Sequence, residues 1–121
     1  MQTRARDLGI PFSGQPGVAN AITDVPGVRV GYKTLCDDLA ADATGPVAVR
    51  TGVTAILPGA HENLFAATWA GISSFNGNGE MTGAHWINES GTFTGPILLT
   101  NTHSVGMVHH ACLQWMTRQP E

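Results

Sequence analysis

Val28-Arg29-Val30-Gly31-Tyr32-Lys33-Thr34-Leu35 alternates apolar and polar side chains. It is followed by Val47-Ala48-Val49-Arg50-Thr51-Gly52-Val53-Thr54-Ala55-Ile56-Leu57, a run rich in β-branched residues that stops at Pro58-Gly59. The period of two marks the first stretch as a half-buried strand, and the β-branched content marks the second as another. Asp24-Val25-Pro26-Gly27 reads as the turn that feeds the first strand, because proline presets φ and glycine permits a positive one. The acidic segment Cys36–Pro46, ending in Thr44-Gly45-Pro46, reads as a loop, so the two strands are expected to pair as a hairpin.

Outward from that hairpin the pattern is mixed. Residues 1–27 are turn-rich, punctuated by Gly9, Pro11, Gly14, Pro16 and Gly17. Leu64–Ala67 has the composition of a helix start, whereas Gly71–Phe75 alternates and is read as a strand. Thr82 is placed to cap a short helix over Ala84–Ser90, with Gly91 just past its end. Ile97–Asn101 is a third apolar strand. Ser104 is then placed to cap a helix whose Val105, Val108, Cys112, Trp115 and Met116 share one face. These elements predict an α+β fold, with a sheet covered on one face by the C-terminal helix.

The chain has 121 residues and a mass of 12.7 kDa, which suits a single domain. A hydrophobic fraction of 42% excludes a disordered chain, and a net charge of −3 excludes a strongly basic nucleic-acid binder. Charged residues make up 12%, about half the usual ~25% of a soluble domain, so much of this surface expects to be covered. The first 50 residues carry five basic and five acidic side chains. From Thr51 to Thr117 there is no Lys or Arg, and the carboxylates are Glu62, Glu80 and Glu89. Each is either a solvated turn residue or a partner for a cation from elsewhere.

Cys36 and Cys112 lack the spacing of a disulfide framework or a CxxC site. A zinc site built from His103 with His109 and His110 would lack both a cysteine partner and an H-E-x-x-H helix, so no metal or other cofactor is expected. Arg4 and Arg6 are followed by no apolar signal region, and no run reaches the ~18 apolar residues of a membrane span. Unpaired thiols without a signal point to the cytoplasm.

The densest polar constellation is Phe75-Asn76-Gly77-Asn78-Gly79-Glu80-Met81-Thr82-Gly83, followed by Trp86. Its glycines allow a ligand to approach the backbone, and Asn76 and Asn78 add amide donors and acceptors. A phosphate cradle would want a lysine rather than Glu80. A carboxylate beside Met81 and Trp86 suits an ammonium group, through a charge-assisted hydrogen bond and the face of the indole. The second constellation, Gly95–Gly106, runs from a buried strand through Thr100-Asn101-Thr102-His103 into the helix. A hydrolytic His103/Ser104 dyad is disfavoured there, since adjacent side chains diverge and capping accounts for Ser104.

Five blocks together carry a family resemblance. They are Arg4–Phe12, Asn20–Val28, Arg50–Pro58, Asn76-Gly77-Asn78-Gly79-Glu80-Met81-Thr82-Gly83 and Thr100-Asn101-Thr102-His103-Ser104-Val105-Gly106. In that order the chain resembles the L-aminopeptidase/D-esterase and β-aminopeptidase (DmpA-like) family of self-processing N-terminal-nucleophile serine peptidases. The resemblance implies an αββα sandwich and a precursor that cleaves itself, the new N-terminal serine becoming the nucleophile. It implies hydrolysis of the amide or ester bond next to a free N-terminal amine, and it places Glu80 at the family's amine-holding position. Asn76, Asn78, Gly79, Trp86 and Asn101 are the expected neighbours of that substrate. The nucleophile is expected outside these 121 residues, making them a single incomplete domain from the front of the first subunit. The implied partners are the rest of the precursor, an amino-acid amide, ester or peptide substrate, and further copies in a homo-oligomer, with no nucleic acid or membrane. The other reading is a non-catalytic small-molecule or partner-binding module of the same fold.

Overall fold

The computed structural model describes residues 3–42, 45–59 and 63–119. Strand β1 (Val28–Asp42) and strand β2 (Gly45–Pro58) form an antiparallel hairpin, in register from Val28↔Pro58 to Leu39↔Val47. Short strands β3 (Thr68–Trp69) and β4 (Thr92–Phe93) pair antiparallel around helix α1 (Ala84–Ser90). Strand β5 (Ile97–Leu99) pairs antiparallel with Thr54–Ile56, giving the order β1-β2-β5, and helix α2 (Val105–Met116) follows. The fold is α+β with antiparallel sheets and a C-terminal helix, as the alternation and the helical stripe predict.

The hairpin is longer than expected. Cys36–Asp42 continues β1 rather than forming a loop, and β2 begins at Gly45. The reason lies in the pairing. One-for-one register continues past Leu35↔Thr51, and Arg50 ties the two strands together. Its guanidinium donates to Asp38 Oδ1 at 2.6 Å, the Asp37 carbonyl at 3.0 Å and the Val49 carbonyl at 2.8 Å. Aspartates are poor strand formers in general, but on an exposed ribbon they stay solvated and cost little. Only between Leu39 and Asp42 does the register shift, through a bulge.

Other boundaries also move. Gly71–Phe75 is not a strand. The alternation of half-buried and exposed residues begins earlier, at Leu64, and only Thr68–Trp69 finds a partner strand. Leu64–Ala67 forms a turn rather than a helix start, with Phe65 N–H donating to Asn63 Oδ1 at 2.7 Å. Helix α1 covers its predicted span, but its cap is Gly83, at φ 90°, and not Thr82. Gly91 closes it at φ 69°, its N–H donating to the Ile87 carbonyl at 2.8 Å.

Helix α2 half-buries Val105, Val108, Cys112 and Met116, while Trp115 stays 40% exposed. Met116 lies against Gly95, so close that a Cβ added there would sit 2.8 Å from the methionine Cε. Trp115 and Gln119 line a recess with Arg29, Leu57 and Pro58. The end of α2 thus meets the open end of the hairpin. Burial pushes the Cys112 thiol up from its ordinary pKa, favouring its protonated form.

The N-terminal segment is tied by a compact polar network. Arg4 Nη1 donates to the Ala19 carbonyl at 2.8 Å and to the Asn20 carbonyl, while Asp24 accepts from Ala19 N–H at 2.8 Å and Ala21 N–H at 3.0 Å. Hydrogen bonds from Ala21 and Ala19, helped by the Arg4 charge, hold the Asp24 carboxyl below the usual carboxylate range.

Very little is enclosed. Among the described residues Ile87, 7% exposed, is the one buried large hydrophobic residue. The accessible surface is 9800 Å², against about 6,200 Å² for a compact monomer of this mass. The low charge of the sequence already asked for a cover, and the structure has the surface of something that receives one. No described helix is long and apolar enough to cross a membrane.

Candidate functional site

The Phe75–Gly83 loop enters α1 from an exposed edge of the molecule. It is built from short local bonds: Asn76 Oδ1 accepts from Asn78 N–H at 2.9 Å, and the Asn76 carbonyl accepts from Ser74 Oγ at 3.0 Å. Ala84 N–H donates to the Met81 carbonyl at 3.2 Å, and Gly83 supplies the left-handed turn. Nothing lies within 4 Å of where a Cβ would stand on Gly77 or Gly79. That backbone is open to a ligand.

Glu80 is exposed on this loop and takes part in no ion pair among the described residues. On the same segment Phe75 is fully exposed and Met81 43% exposed, and Trp86 is 61% exposed on the first turn of α1. Ile87, the next residue, is buried and anchors the helix that carries Trp86. The arrangement gathers Asn76, Asn78, Gly79 and Glu80 on one loop, with Trp86 on the element it leads into. A carboxylate so placed accepts hydrogen bonds from a cationic amine, and exposed rings offer apolar contact to the group that carries it.

Asn101 lies just past β5, and its side chain is already engaged. Nδ2 donates to Thr51 Oγ1 at 2.6 Å, and Oδ1 accepts from Ser104 N–H at 3.1 Å. Thr100 Oγ1 adds a bond to the Gly52 carbonyl at 3.0 Å. The two residues after β5 are therefore pinned to β2. Asn101 also caps the short 3-10 turn Thr102–Ser104 that precedes α2, while Ser104 holds the N-cap position of α2 that the sequence assigns to it. Ser104 itself makes no side-chain cap bond. The signal for this was present in Asn101-x-x-Ser104, since asparagine is a strong N-cap residue.

Trp69, outside both polar constellations, is 85% exposed on β3 and approaches Gly91. Its signal was an indole at an outward position of an alternating stretch. Among the described residues no three His, Cys, Asp or Glu side chains come together as a metal site would require.

The model of peptidase family S58 matches residues 20–121. A β-peptidyl aminopeptidase, BapA, from Sphingosinicella microcystinivorans is 51% identical over 113 residues, covering 93% of this chain and 28% of its own length. The L-aminopeptidase D-Ala-esterase/amidase of Ochrobactrum anthropi, described as a prototype of the serine aminopeptidases and a variant of the Ntn hydrolase fold, superposes with a TM-score of 0.82 at 51% identity. That match covers 95% of this chain and 31% of the other. A Burkholderia sp. β-aminopeptidase matches with a TM-score of 0.78 at 50% identity, over 93% of this chain and 31% of its own. The chain thus spans less than a third of the length of these relatives. With the hairpin, the Gly/Asn loop and the β5–α2 junction all inside the matched region, the chain belongs to peptidase family S58.

Proposed function

We propose that this chain forms the amine-recognising wall of a serine aminopeptidase, which hydrolyses the amide or ester bond beside a free N-terminal amino group. One observation carries the reading: Glu80 is an exposed carboxylate, without an ion-pair partner among the described residues, on an open Gly/Asn loop followed in sequence by the exposed Met81 and Trp86. Over Thr51–Thr117 the sequence supplies no Lys or Arg to neutralise it. An ammonium group from the substrate meets that requirement, and anchoring it fixes how far the scissile carbonyl lies from the nucleophile.

In this reading the nucleophile is the N-terminal serine of a second subunit, released by self-cleavage of a precursor that includes these 121 residues. Its hydroxyl attacks the substrate carbonyl while its proton passes to a neighbouring base; the scissile C–N or C–O bond then breaks, the departing amine or alcohol takes that proton, and water hydrolyses the acyl-enzyme to release the acid and restore the serine hydroxyl. The excess accessible surface supports a role as one layer of a larger body.

Glu80→Gln in the full-length gene product tests the assignment. It is expected to leave folding and self-cleavage intact and to lower kcat/KM for free-amine substrates by about one to two orders of magnitude, matching the roughly 1.5–3 kcal/mol of a charged hydrogen bond. Turnover of the N-acetylated analogue should hardly change. An undiminished preference for the free amine would remove Glu80 from this role.

A further inference from the structure

The stretch from Gly71 to Glu80 holds its shape without a ladder. Among the described residues no backbone–backbone hydrogen bond falls between Ala70, which donates to the Gly91 carbonyl at 2.8 Å, and Met81, whose carbonyl accepts from Ala84 N–H at 3.2 Å. Gly71, Gly77 and Gly79 have nothing within 4 Å of where a Cβ would stand. Glycine loses more conformational freedom on ordering than any other residue, so a stretch of this kind needs internal ties. Two are present. Ser74 Oγ donates to the Asn76 carbonyl at 3.0 Å, and Asn78 N–H donates to Asn76 Oδ1 at 2.9 Å. Asn76 takes part in both. Its side chain accepts from the backbone two residues on, a local turn that asparagine and aspartate are suited to make.

We propose that Asn76 is a positioning residue, which sets the conformation in which the loop presents Glu80 and does not itself hold the substrate; the role rests on the amine-anchor reading of Glu80. Asn76 Oδ1 is engaged by Asn78 N–H, whereas the Asn78 side chain makes no hydrogen bond among the described residues. Asn76 thus spends its acceptor on the loop, and Asn78 keeps its amide for a ligand. The turn ends at Asn78, and only Gly79 separates it from Glu80. A glycine cannot hold a direction by itself, so the direction of the carboxylate is inherited from the turn. Without the Asn76 acceptor the glycines sample more of their range. The loop then presents Glu80 correctly for a smaller fraction of the time, and the apparent affinity for an ammonium group falls by that fraction.

Variants of the full-length gene product separate positioning from direct contact. Asn76→Asp keeps an acceptor at the right reach but no amide donor. Asn76→Gln keeps the whole amide, but its extra methylene carries the oxygen away from Asn78 N–H, and Asn76→Ala keeps neither. The quantity measured is kcat/KM for a free-amine aminoacyl p-nitroanilide divided by that for its N-acetylated analogue, a ratio from which the fraction of folded enzyme cancels. Asn76→Ala and Asn76→Gln should lower the ratio by about three- to tenfold, the worth of one hydrogen bond, while Asn76→Asp stays within about twofold of the wild type. Amide exchange at Asn78 should quicken in the first two and not in the third. In the Glu80→Gln background Asn76→Ala should lower the ratio no further, because no anchor is left to present. If Glu80→Gln loses the ratio and Asn76→Ala keeps it, the positioning role is overturned and the anchor stands. If Glu80→Gln keeps the ratio, the anchor is overturned and this role with it. A ratio kept by Asn76→Gln and lost in Asn76→Asp overturns positioning too, and returns Asn76 to the substrate.

Discussion

Replacing Asn101 with alanine deletes its two side-chain bonds just past β5, and their worth follows from the geometry. The bond to Ser104 N–H at 3.1 Å is a cap, and such asparagines are worth about 1 kcal/mol. The bond to Thr51 Oγ1 at 2.6 Å adds about 0.5–1.5 kcal/mol, toward the lower figure because the site is exposed to water. Asn101→Ala should therefore cost about 1.5–2 kcal/mol, and Thr51→Ala about 0.5–1 kcal/mol. The double variant should cost less than the sum, because each single change already breaks the shared bond. Asn101→Asp keeps an acceptor for Ser104 N–H and for the Thr51 hydroxyl, so it should lie near the wild type. Urea unfolding of the full-length gene product reads this as a falling midpoint at unchanged m-value. Two results would refute the latch: strict additivity of the double variant, or an unchanged midpoint together with a raised KM. The second would return Asn101 to the substrate.

Gly95→Ala should destabilise by about 1–3 kcal/mol, because φ 80° is strained for alanine and the new Cβ meets Met116. Met116→Ala in the same background should relieve only the contact part, as thermal melts of the paired variants would reveal. Asp24 predicts an acid-sensitive N-terminal segment. Its folded pKa is depressed, so its stabilisation is present above the unfolded carboxylate value near 4 and is lost as pH falls through the lower folded value. The amide resonances of Ala19 and Ala21, followed by NMR from pH 6 down to about 2, should shift together as that carboxyl protonates. Residues 1–121 expressed alone should bind a hydrophobic dye and aggregate, given 9800 Å² of accessible surface, and should hydrolyse no aminoacyl p-nitroanilide. A sharp cooperative melt of a monomer that binds no dye would contradict this.

Strand β2, β5 and α2 were legible through β-branched content, an apolar run and an i, i+3, i+7, i+11 stripe; β1 was legible as a strand through its alternation, although it is not half-buried, since residues 29–38 are exposed on both faces. Cys36–Asp42 was misread because its aspartates argue locally for a loop, whereas the strand there is held by long-range partners, Arg50 above all. Gly71–Phe75 failed for the opposite reason. Its alternation finds no neighbouring strand among the described residues, and two-residue strands such as Thr92–Phe93 carry too little pattern to be seen. Glu80 stood out through the absence of nearby cations, a property of the whole second half of the chain. The latch at Asn101 depends on Thr51, and no local pattern connects residues fifty positions apart.

The hairpin also sets an order of events in time. Every β1–β2 contact lies within Val28–Pro58, so the pair can zip up from its turn as soon as that stretch is free, on a scale of about 1–10 μs. The third strand is paired across a far wider gap, Ile56 with Ile97. At a synthesis rate of about 5–20 residues per second, roughly 2–8 s separate the emergence of Pro58 from that of Leu99. For those seconds the nascent chain presents β2 with its Thr54-Ala55-Ile56 edge unpaired, at least about a hundred thousand times longer than the hairpin needs to form. Ribosome-bound chaperones would meet this protein there, as a finished hairpin still missing its neighbour.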